Sequence, residues 1–392
     1  MIRVLFLSHD SALYGAQLSL LGLLSRLDRK IFEPLVVAPY AGPLNDAIVE
    51  LGIPVIIRDK VNWIATDDEA KKTRLRISRD FLTGLKSRVW ALAYQIEHNN
   101  IDVVYTNTIA PIEGALAARI THRPHIWHLR EQVSGNNQLK SPIPHRLIPY
   151  IVGRLADRVL VNSRYLGQVY ARGQTKNKLE VVYNGVDPNT FGENRTEAAA
   201  TLKTELGLSA TSQLVVLIGS IIPRKRQLLL AQAAAIVTRH IPDATFLIIG
   251  DGDSGYIDEI KSFSEARGIS KKFRILGWRG DIPHILAAAN ILTITADEEP
   301  FGRTAIEAMA AGTPVVSTRC GGPEEIIEDK ATGLLVPRGD ADALAQAIEY
   351  TLCNPTVASK MSTAGRQRLH EKFTLEAHAL QVQNIITAVV RN

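Results

Sequence analysis

The sequence predicts an α/β protein made of two Rossmann-like halves, and three observations carry that expectation. Strand-like apolar runs alternate with helix-like segments from end to end, the pattern of parallel βα units. At 392 residues the chain is long for a single core, so two domains are expected. The alternation is interrupted near Asn184-Gly185, a turn dipeptide followed by Pro188 and Gly192, and then resumes.

The opening Met1-Ile-Arg-Val-Leu-Phe-Leu-Ser8 reads as a first buried strand rather than a signal peptide. In the first half, strands are expected at 4–7, 35–38, 55–57, 103–106, 125–128 and 158–161, with a first helix over 16–27. Residues 1–185 form the expected first domain and 186–213 the linker. The second domain, 214–374, repeats the pattern with strands at 214–218, 245–249, 273–276, 291–294 and 315–316.

Hydrophobic residues at 46% and charged residues at 22% describe an ordinary soluble globular protein. The net charge of +5 favours anionic partners such as nucleotides or membrane surfaces. Nucleic acid is not among the expected partners. Two cysteines, Cys320 and Cys353, form neither a disulfide framework nor a metal spacing, in keeping with a reducing cytoplasm. No apolar run approaches the roughly eighteen residues needed to span a bilayer, so the protein is expected to be cytoplasmic, attached to a membrane only at its surface if at all.

The segment 71–92 departs from the rhythm. It sets Lys71, Lys72, Arg74, Arg76, Arg79, Lys86 and Arg88 against a single acid, Asp80, with Leu75, Phe81, Leu82, Leu85, Val89 and Leu92 at roughly helical spacing. Such a basic amphipathic helix can lie on an anionic membrane or approach an acidic acceptor; its plainer use is to pack on the core with a solvated basic face. The stretch 140–154, with Pro142, Pro144 and Pro149, reads as a loop followed by a short helix.

The chemistry concentrates in 295–317. A carboxylate-rich loop closed by Pro300-Phe301-Gly302 precedes a helix of good formers over 303–311, which Gly312-Thr313-Pro314 stops. A helix start offers backbone N–H groups and a positive dipole end, a setting for phosphate. Glu299 and Glu307 bracket it, and a carboxylate can accept two hydrogen bonds from vicinal hydroxyls of a sugar or ribose. The competing reading is a solvated acidic loop followed by a surface glutamate. Asp297, Glu298 and Glu299 lack the histidine or second acidic cluster that would complete a metal site, so no metal or other cofactor is expected.

Arg224 and Lys225 follow the first strand of the second half, where a strand's carboxyl end opens toward a ligand, and could neutralise a diphosphate. Gly250-Asp-Gly-Asp-Ser-Gly255 matches the dinucleotide pattern G-x-G-x-x-G, but Asp251 and Asp253 would oppose a pyrophosphate. A turn near a nucleotide base fits the motif better. In the first half, Gly15 before a helix would let a ligand approach the backbone closely. His128, at a strand end, and Arg130, two residues on, are candidates for a catalytic loop.

These motifs resemble a family. Glu299-Pro-Phe-Gly-Arg-Thr-Ala-Ile-Glu307, continued by Ala308-Met-Ala-Ala-Gly-Thr-Pro-Val-Val316, is similar to the E-x7-E signature of the retaining glycosyltransferases of family four. Tyr183-Asn-Gly-Val-Asp187 with Phe191, Leu247-Ile-Ile-Gly-Asp-Gly252, Gly321-Gly-Pro-Glu-Glu-Ile326 and Thr332-Gly-Leu-Leu-Val-Pro337 follow in the family's order. The resemblance implies a GT-B fold, two Rossmann-like domains facing across a cleft, with a C-terminal helix in 375–392 that crosses back to the first domain. It assigns Glu299 to the hydroxyls of the donor sugar and Glu307 to the ribose diol. The backbone N–H groups of Phe301, Gly302, Arg303 and Thr304 would take the distal phosphate, and Arg224 and Lys225 the diphosphate. Trp278 and Arg279 would lie near the base, and Gly15 near donor and acceptor. Two departures stand out. Ser220 occupies a position where the family often has arginine, and the family's first-domain histidine aligns with His128 or, counted from Pro124, with Arg130.

The implied activity is transfer of a sugar, with retention, from a nucleotide-diphosphate sugar to a glycan or lipid-linked acceptor in surface polysaccharide or glycoconjugate synthesis, without metal. A sugar-nucleotide epimerase, a phosphorylase on the same fold, and a nucleotide-sugar-binding protein without turnover are the alternatives.

Overall fold

The computed structural model describes residues 1–59, 62–64, 74–133 and 139–391. They form two compact units, Met1–Gly185 with Leu375–Asn392, and Val186–Thr374.

Unit 1 carries a parallel sheet of β1 (Ile2–Leu7), β2 (Phe32–Ala38), β3 (Val55–Ile57), β4 (Val103–Asn107), β5 (His125–Leu129), β6 (Arg158–Val161) and β7 (Leu179–Val181). Their spatial order is β3-β2-β1-β4-β5-β6-β7. Every residue of β4 and of β5 is buried, as expected of central strands covered by helices on both faces. On one face Val4, Phe6, Leu20 and Leu23 pack with Val382 and Ile386 of the final helix, Leu375–Arg391. That helix joins unit 1 because its buried stripe at Leu375, Ala379, Val382 and Ile386 finds an apolar face there.

Unit 2 carries β8 (Gln213–Ile218), β9 (Ala244–Ile249), β10 (Phe273–Ile275), β11 (Ile291–Ile294), β12 (Val315–Thr318) and β13 (Leu334–Val336), in the order β10-β9-β8-β11-β12-β13. Each sheet reverses its winding once, between β1 and β4 in unit 1 and between β8 and β11 in unit 2. Ligands of open α/β sheets settle outside the carboxyl ends of the strands at such a reversal.

The structure adds two strands to those expected from sequence, β7 and β13. Both are three-residue sheet edges, too short to show a period. Residues 186–213 are not a free linker. The Val186 N–H donates to the Phe373 carbonyl at 3.0 Å, and the helix Arg195–Glu205 belongs to unit 2, where Arg195 reaches the Ala289 carbonyl at 2.7 Å. The polar composition that read as a linker is the solvated side of that helix.

The basic segment also differs from expectation. Lys71 and Lys72 lie outside the described residues. The rest is two helices, Arg74–Leu82 and Leu85–His98, parted at Gly84, whose φ of 72° is one that glycine adopts without strain. Arg88 turns inward rather than to solvent, donating to Glu113 at 3.0 Å and to the carbonyls of Thr83 and Phe81 at 2.7 Å each. The stretch 140–154 holds a 3-10 turn, His145–Leu147, and the helix Ile148–Leu155. Among the described residues no helix is long and apolar enough to cross a membrane.

Candidate active site

In unit 2 the loops that leave β8 and β11, on either side of the reversal, are laced together. The Asp297 N–H donates to the Arg224 carbonyl at 3.0 Å, and Thr295 Oγ1 donates to the Lys225 carbonyl at 2.7 Å. Arg224 Nη1 reaches the Glu298 carbonyl at 2.5 Å, and Arg226 Nε pairs with Asp297 at 2.9 Å. Lys225 Nζ forms a close ion pair with Glu299 Oε2. The basic loop is therefore anchored to the acidic one, backbone as well as side chain.

Glu299 is further held from a third loop. Its N–H donates to the Cys320 carbonyl, and its own carbonyl accepts from the Gly322 N–H, both at 2.8 Å. Burial works to raise the Glu299 pKa, but the nearby charges of Lys225 and Arg224 and the Gly302 N–H outweigh it, so the carboxyl lies below its ordinary value. It stays ionised at neutral pH.

Gly302 begins the helix Arg303–Ala311 at φ 91°, and a Cβ there would meet Pro323 at 2.9 Å, so glycine is needed for both reasons. No side chain caps this helix start, which leaves the end near Thr304 suited to an anion. Phe301 is buried edge-on against Phe373, with ring centres 6.1 Å apart, and this fixes the turn. Glu307, one turn into the helix, accepts from Arg303 Nε at 2.7 Å. Burial pushes its carboxyl above the ordinary value despite the Arg303 charge.

The G-x-G-x-x-G match has a packing explanation. A Cβ at Gly250 would lie 2.2 Å from the Gly219 carbonyl oxygen, and one at Gly252 would lie 2.1 Å from that of Ile221, so both glycines let two backbones cross. Asp253 caps the next helix, accepting from the Tyr256 N–H at 2.7 Å. Trp278 is 64% exposed in the loop whose Gly277 carbonyl accepts from the Gly250 N–H. Arg279 is engaged by Glu205 and, at 2.6 Å, by Asp281. The structure thus groups Arg224, Lys225, Glu299, Phe301, Gly302, Arg303, Thr304 and Glu307, while Arg279 is bound into a separate ion-pair cluster.

In unit 1 the corresponding strand ends hold a buried polar cluster. Arg130 donates through Nε to Asn107 at 2.7 Å and through Nη1 to Asn184 at 2.5 Å, and its Nη2 lies 3.4 Å from His128 Nδ1. Because guanidinium can only donate, His128 Nδ1 is the acceptor, with the Tyr105 hydroxyl on the same nitrogen. The proton then sits on Nε2, which is buried without a partner among the described residues. His128 is fully buried, and burial, then Arg130, then His378 hold its pKa well below the ordinary value. Asn107 in turn donates to the Ala16 carbonyl at 3.1 Å, tying Arg130 to the helix that starts at Gly15. A Cβ at Gly15 would meet nothing within 4 Å, so the approach there is open.

Sequence reasoning missed Tyr105, Asn107, Asn184 and His378, since their partners are far along the chain. It also missed a cavity of about 200 Å³ at the carboxyl ends of β1 and β2, lined by Ser8, Arg58, Asp59, Arg88 and Glu113. Glu113 is 5% exposed there, and its Oε2 has no partner among the described residues.

Two parallel sheets with ligand loops at their reversals define a protein of the GT-B class, and a structural comparison agrees. The fold superposes on that of HepE from Anabaena, solved with UDP and glucose, with a TM-score of 0.82 at 24% identity, covering 99% of this chain and 100% of that one. Residues 199–368 match the family described as Glycosyl transferases group 1, and residues 14–190 match Glycosyltransferase Family 4. The chain belongs to these glycosyltransferases. Among curated relatives, the lipopolysaccharide core biosynthesis glycosyltransferase LpsE of Rhizobium meliloti is 31% identical over 48% of this chain and 53% of its own length. The UDP-Gal:alpha-D-GlcNAc-diphosphoundecaprenol alpha-1,3-galactosyltransferase of Escherichia coli is 26% identical over 55% of each. The chain spans about half the length of the curated relatives it matches.

Proposed function

We propose that the protein is a retaining glycosyltransferase that moves a sugar from a nucleoside diphosphate sugar to a hydroxyl of a glycan or lipid-linked acceptor. The observation that carries this reading is the Lys225–Glu299 pair set beside the uncapped helix start at Gly302, with Glu307 one turn further on. That arrangement offers a cation pair and backbone N–H groups to a diphosphate, and two carboxylates to hydroxyls. Glu299 takes the sugar, and its remaining lone pairs suffice although Lys225 and Gly302 already use it. Glu307 takes the ribose diol, and Trp278 offers the base a stacking face. The names of the relatives, which act on lipid-linked and lipopolysaccharide acceptors, support the acceptor class.

In this reading the bond between the sugar C1 and the diphosphate oxygen breaks while the acceptor oxygen bonds to C1 on the same face. The acceptor proton passes to the departing phosphate, whose charge Arg224 and Lys225 neutralise. Because these two cations supply that charge, turnover is expected to persist in EDTA. The Arg130–His128 cluster braces unit 1 on the acceptor side. The exposed Leu82, Trp90 and Tyr94 beside Arg79 and Lys86 support peripheral contact with an anionic membrane at its cytoplasmic face. Liposomes of anionic and neutral lipid, compared at low salt, test that contact.

Incubation with UDP-glucose and an acceptor panel, followed by NMR of the new anomeric centre, tests the reaction. Inversion, or no product with any nucleotide sugar, sinks it. Donor altered without acceptor would indicate an epimerase, and a strict phosphate requirement a phosphorylase. Tight nucleotide binding with no product across the panel would indicate a binding protein.

A further inference from the structure

A cavity of about 340 Å³ lies within unit 2, and its lining contains two arginines, Arg195 and Arg366, several hydroxyl side chains and no carboxylate. The two guanidinium groups converge on one atom. Arg195 Nη1 and Arg366 Nη2 lie 3.3 and 3.0 Å from the Ala311 carbonyl oxygen. Arg195 also donates to Thr313 Oγ1 at 2.6 Å and to the Ala289 carbonyl at 2.7 Å. The partners found for both arginines are thus carbonyls and a hydroxyl, which satisfy donors but carry no counter-charge. Neither arginine forms an ion pair among the described residues.

Part of this arrangement is helix chemistry. Ala311 ends the helix Arg303–Ala311 and Ala289 follows the helix Ile282–Ala288, and cations are favoured at such ends. One cation per helix end would serve. Placing a second guanidinium against the same oxygen, in a recess where burial and then Arg366 depress the Arg195 pKa, is unfavourable unless an anion joins them. The lining supplies what such an anion needs, namely hydroxyl side chains at Ser359 and Thr363 and the guanidinium donors that the carbonyls leave over. The recess is wide enough for a phosphate group and the start of whatever carries it.

We propose that this recess is a second anion site that binds a phosphate group, separate from the diphosphate site at Gly302 and at the opposite end of the same helix. Its ligand bridges Arg195 and Arg366 and is either a soluble phosphate ester or the phosphate of a lipid headgroup. Since both arginines hold the last carbonyl of the helix that carries Glu307, occupancy there couples to donor binding through that helix.

Calorimetric titration of inorganic phosphate into the UDP-saturated full chain tests the site, because UDP keeps phosphate from the Gly302 end. One saturable equivalent is expected, weakened at least tenfold by Arg366→Gln. Ser359→Glu puts a carboxylate at the exposed rim without removing either arginine and should weaken binding as much, which guards against a folding defect in the first variant. Should UDP itself not bind, the titration is run on an Arg224→Ala/Lys225→Ala protein, so the nucleotide reading can fail while this site stands. Sedimentation with phosphatidylcholine vesicles, with and without phosphatidic acid, assigns the source. Capture by phosphatidic acid that Ser359→Glu abolishes indicates a headgroup, and phosphate binding without capture indicates a soluble ester. Absence of saturable phosphate binding, or equal affinity in all variants, overturns the proposal.

Discussion

At the carboxyl ends of β8 and β11 in unit 2, cations meet carboxylates: Lys225 with Glu299, Arg226 with Asp297, Arg303 with Glu307. At the carboxyl ends of β4 and β5 in unit 1, the Arg130 guanidinium donates instead to the amide oxygens of Asn107 and Asn184 and lies against the ring of His128, with the Glu131 carboxylate as a nearby charge. The first arrangement is an exchangeable one. A diphosphate can take up the cations while sugar hydroxyls donate to the carboxylates, so each member can exchange one partner for another. The second is a fixed one, in which a buried guanidinium is bonded to Asn107 on β4 and to Asn184 in the loop after β7, while His128 Nε2 has no partner among the described residues. Unit 2 therefore looks built to trade partners and unit 1 to hold its shape.

Substitutions should separate the two behaviours, and the largest effect is expected in unit 2. Glu299→Gln keeps size but removes the charge that pairs with Lys225, and turnover should fall by roughly 10² to 10³ while the melting temperature changes little. Unchanged turnover would make the pair structural and collapse the contrast. Next comes Arg130→Ala, which leaves the Asn107 and Asn184 oxygens unpaired in a buried site. A loss of about 1–3 kcal/mol in chemical denaturation is expected, with UDP affinity unaltered. A variant as stable as the parent would show that Arg130 is not part of the frame.

The pH response is a finer probe. His128 has a folded pKa held well below the ordinary histidine value, so the unfolded chain binds a proton that the folded chain refuses. Its stability contribution is present above the ordinary value and is lost as pH falls through it. Melting curves between pH 8 and 5.5 should show the parent losing more stability than His128→Gln, and parallel curves would refute the assignment. Glu307 has the opposite sign of shift, its pKa being raised by burial. As pH falls through that raised value its carboxyl gains a proton and loses an acceptor, so UDP affinity should weaken in acid more in the parent than in Glu307→Gln. The smallest effect is expected for Arg279→Ala. Arg279 sits in a surface cluster with Glu205 and Asp281, worth less than about 1 kcal/mol. A large loss of nucleotide affinity would place it in the donor site after all.

Much of unit 2 was legible because its chemistry is local. Gly302 and Gly312 bound a helix of good formers, and the residues that matter, Glu299 to Glu307, lie within nine consecutive positions. Arg224 and Lys225 were legible for a similar reason, each sitting one loop beyond a recognisable strand. Unit 1 was not, because Arg130 is bonded to Asn184, 54 residues away, and to Asn107, 23 away. No short motif encodes such a set.

The sequence by itself determined the alternation of strand and helix, hence two parallel sheets, and it determined the acidic loop, the helix start and the basic pair. These follow from periods of two and 3.6 residues and from the steric and dipolar properties of single turns, which act over a few residues. Only the tertiary structure decided which charges find partners. It turned Arg88 inward to Glu113, placed two arginines on one carbonyl at the far end of the Glu307 helix, left Glu113 Oε2 buried without a partner among the described residues, and made the supposed linker part of unit 2. Those outcomes depend on which strands stand side by side, and burial makes each of them costly to change.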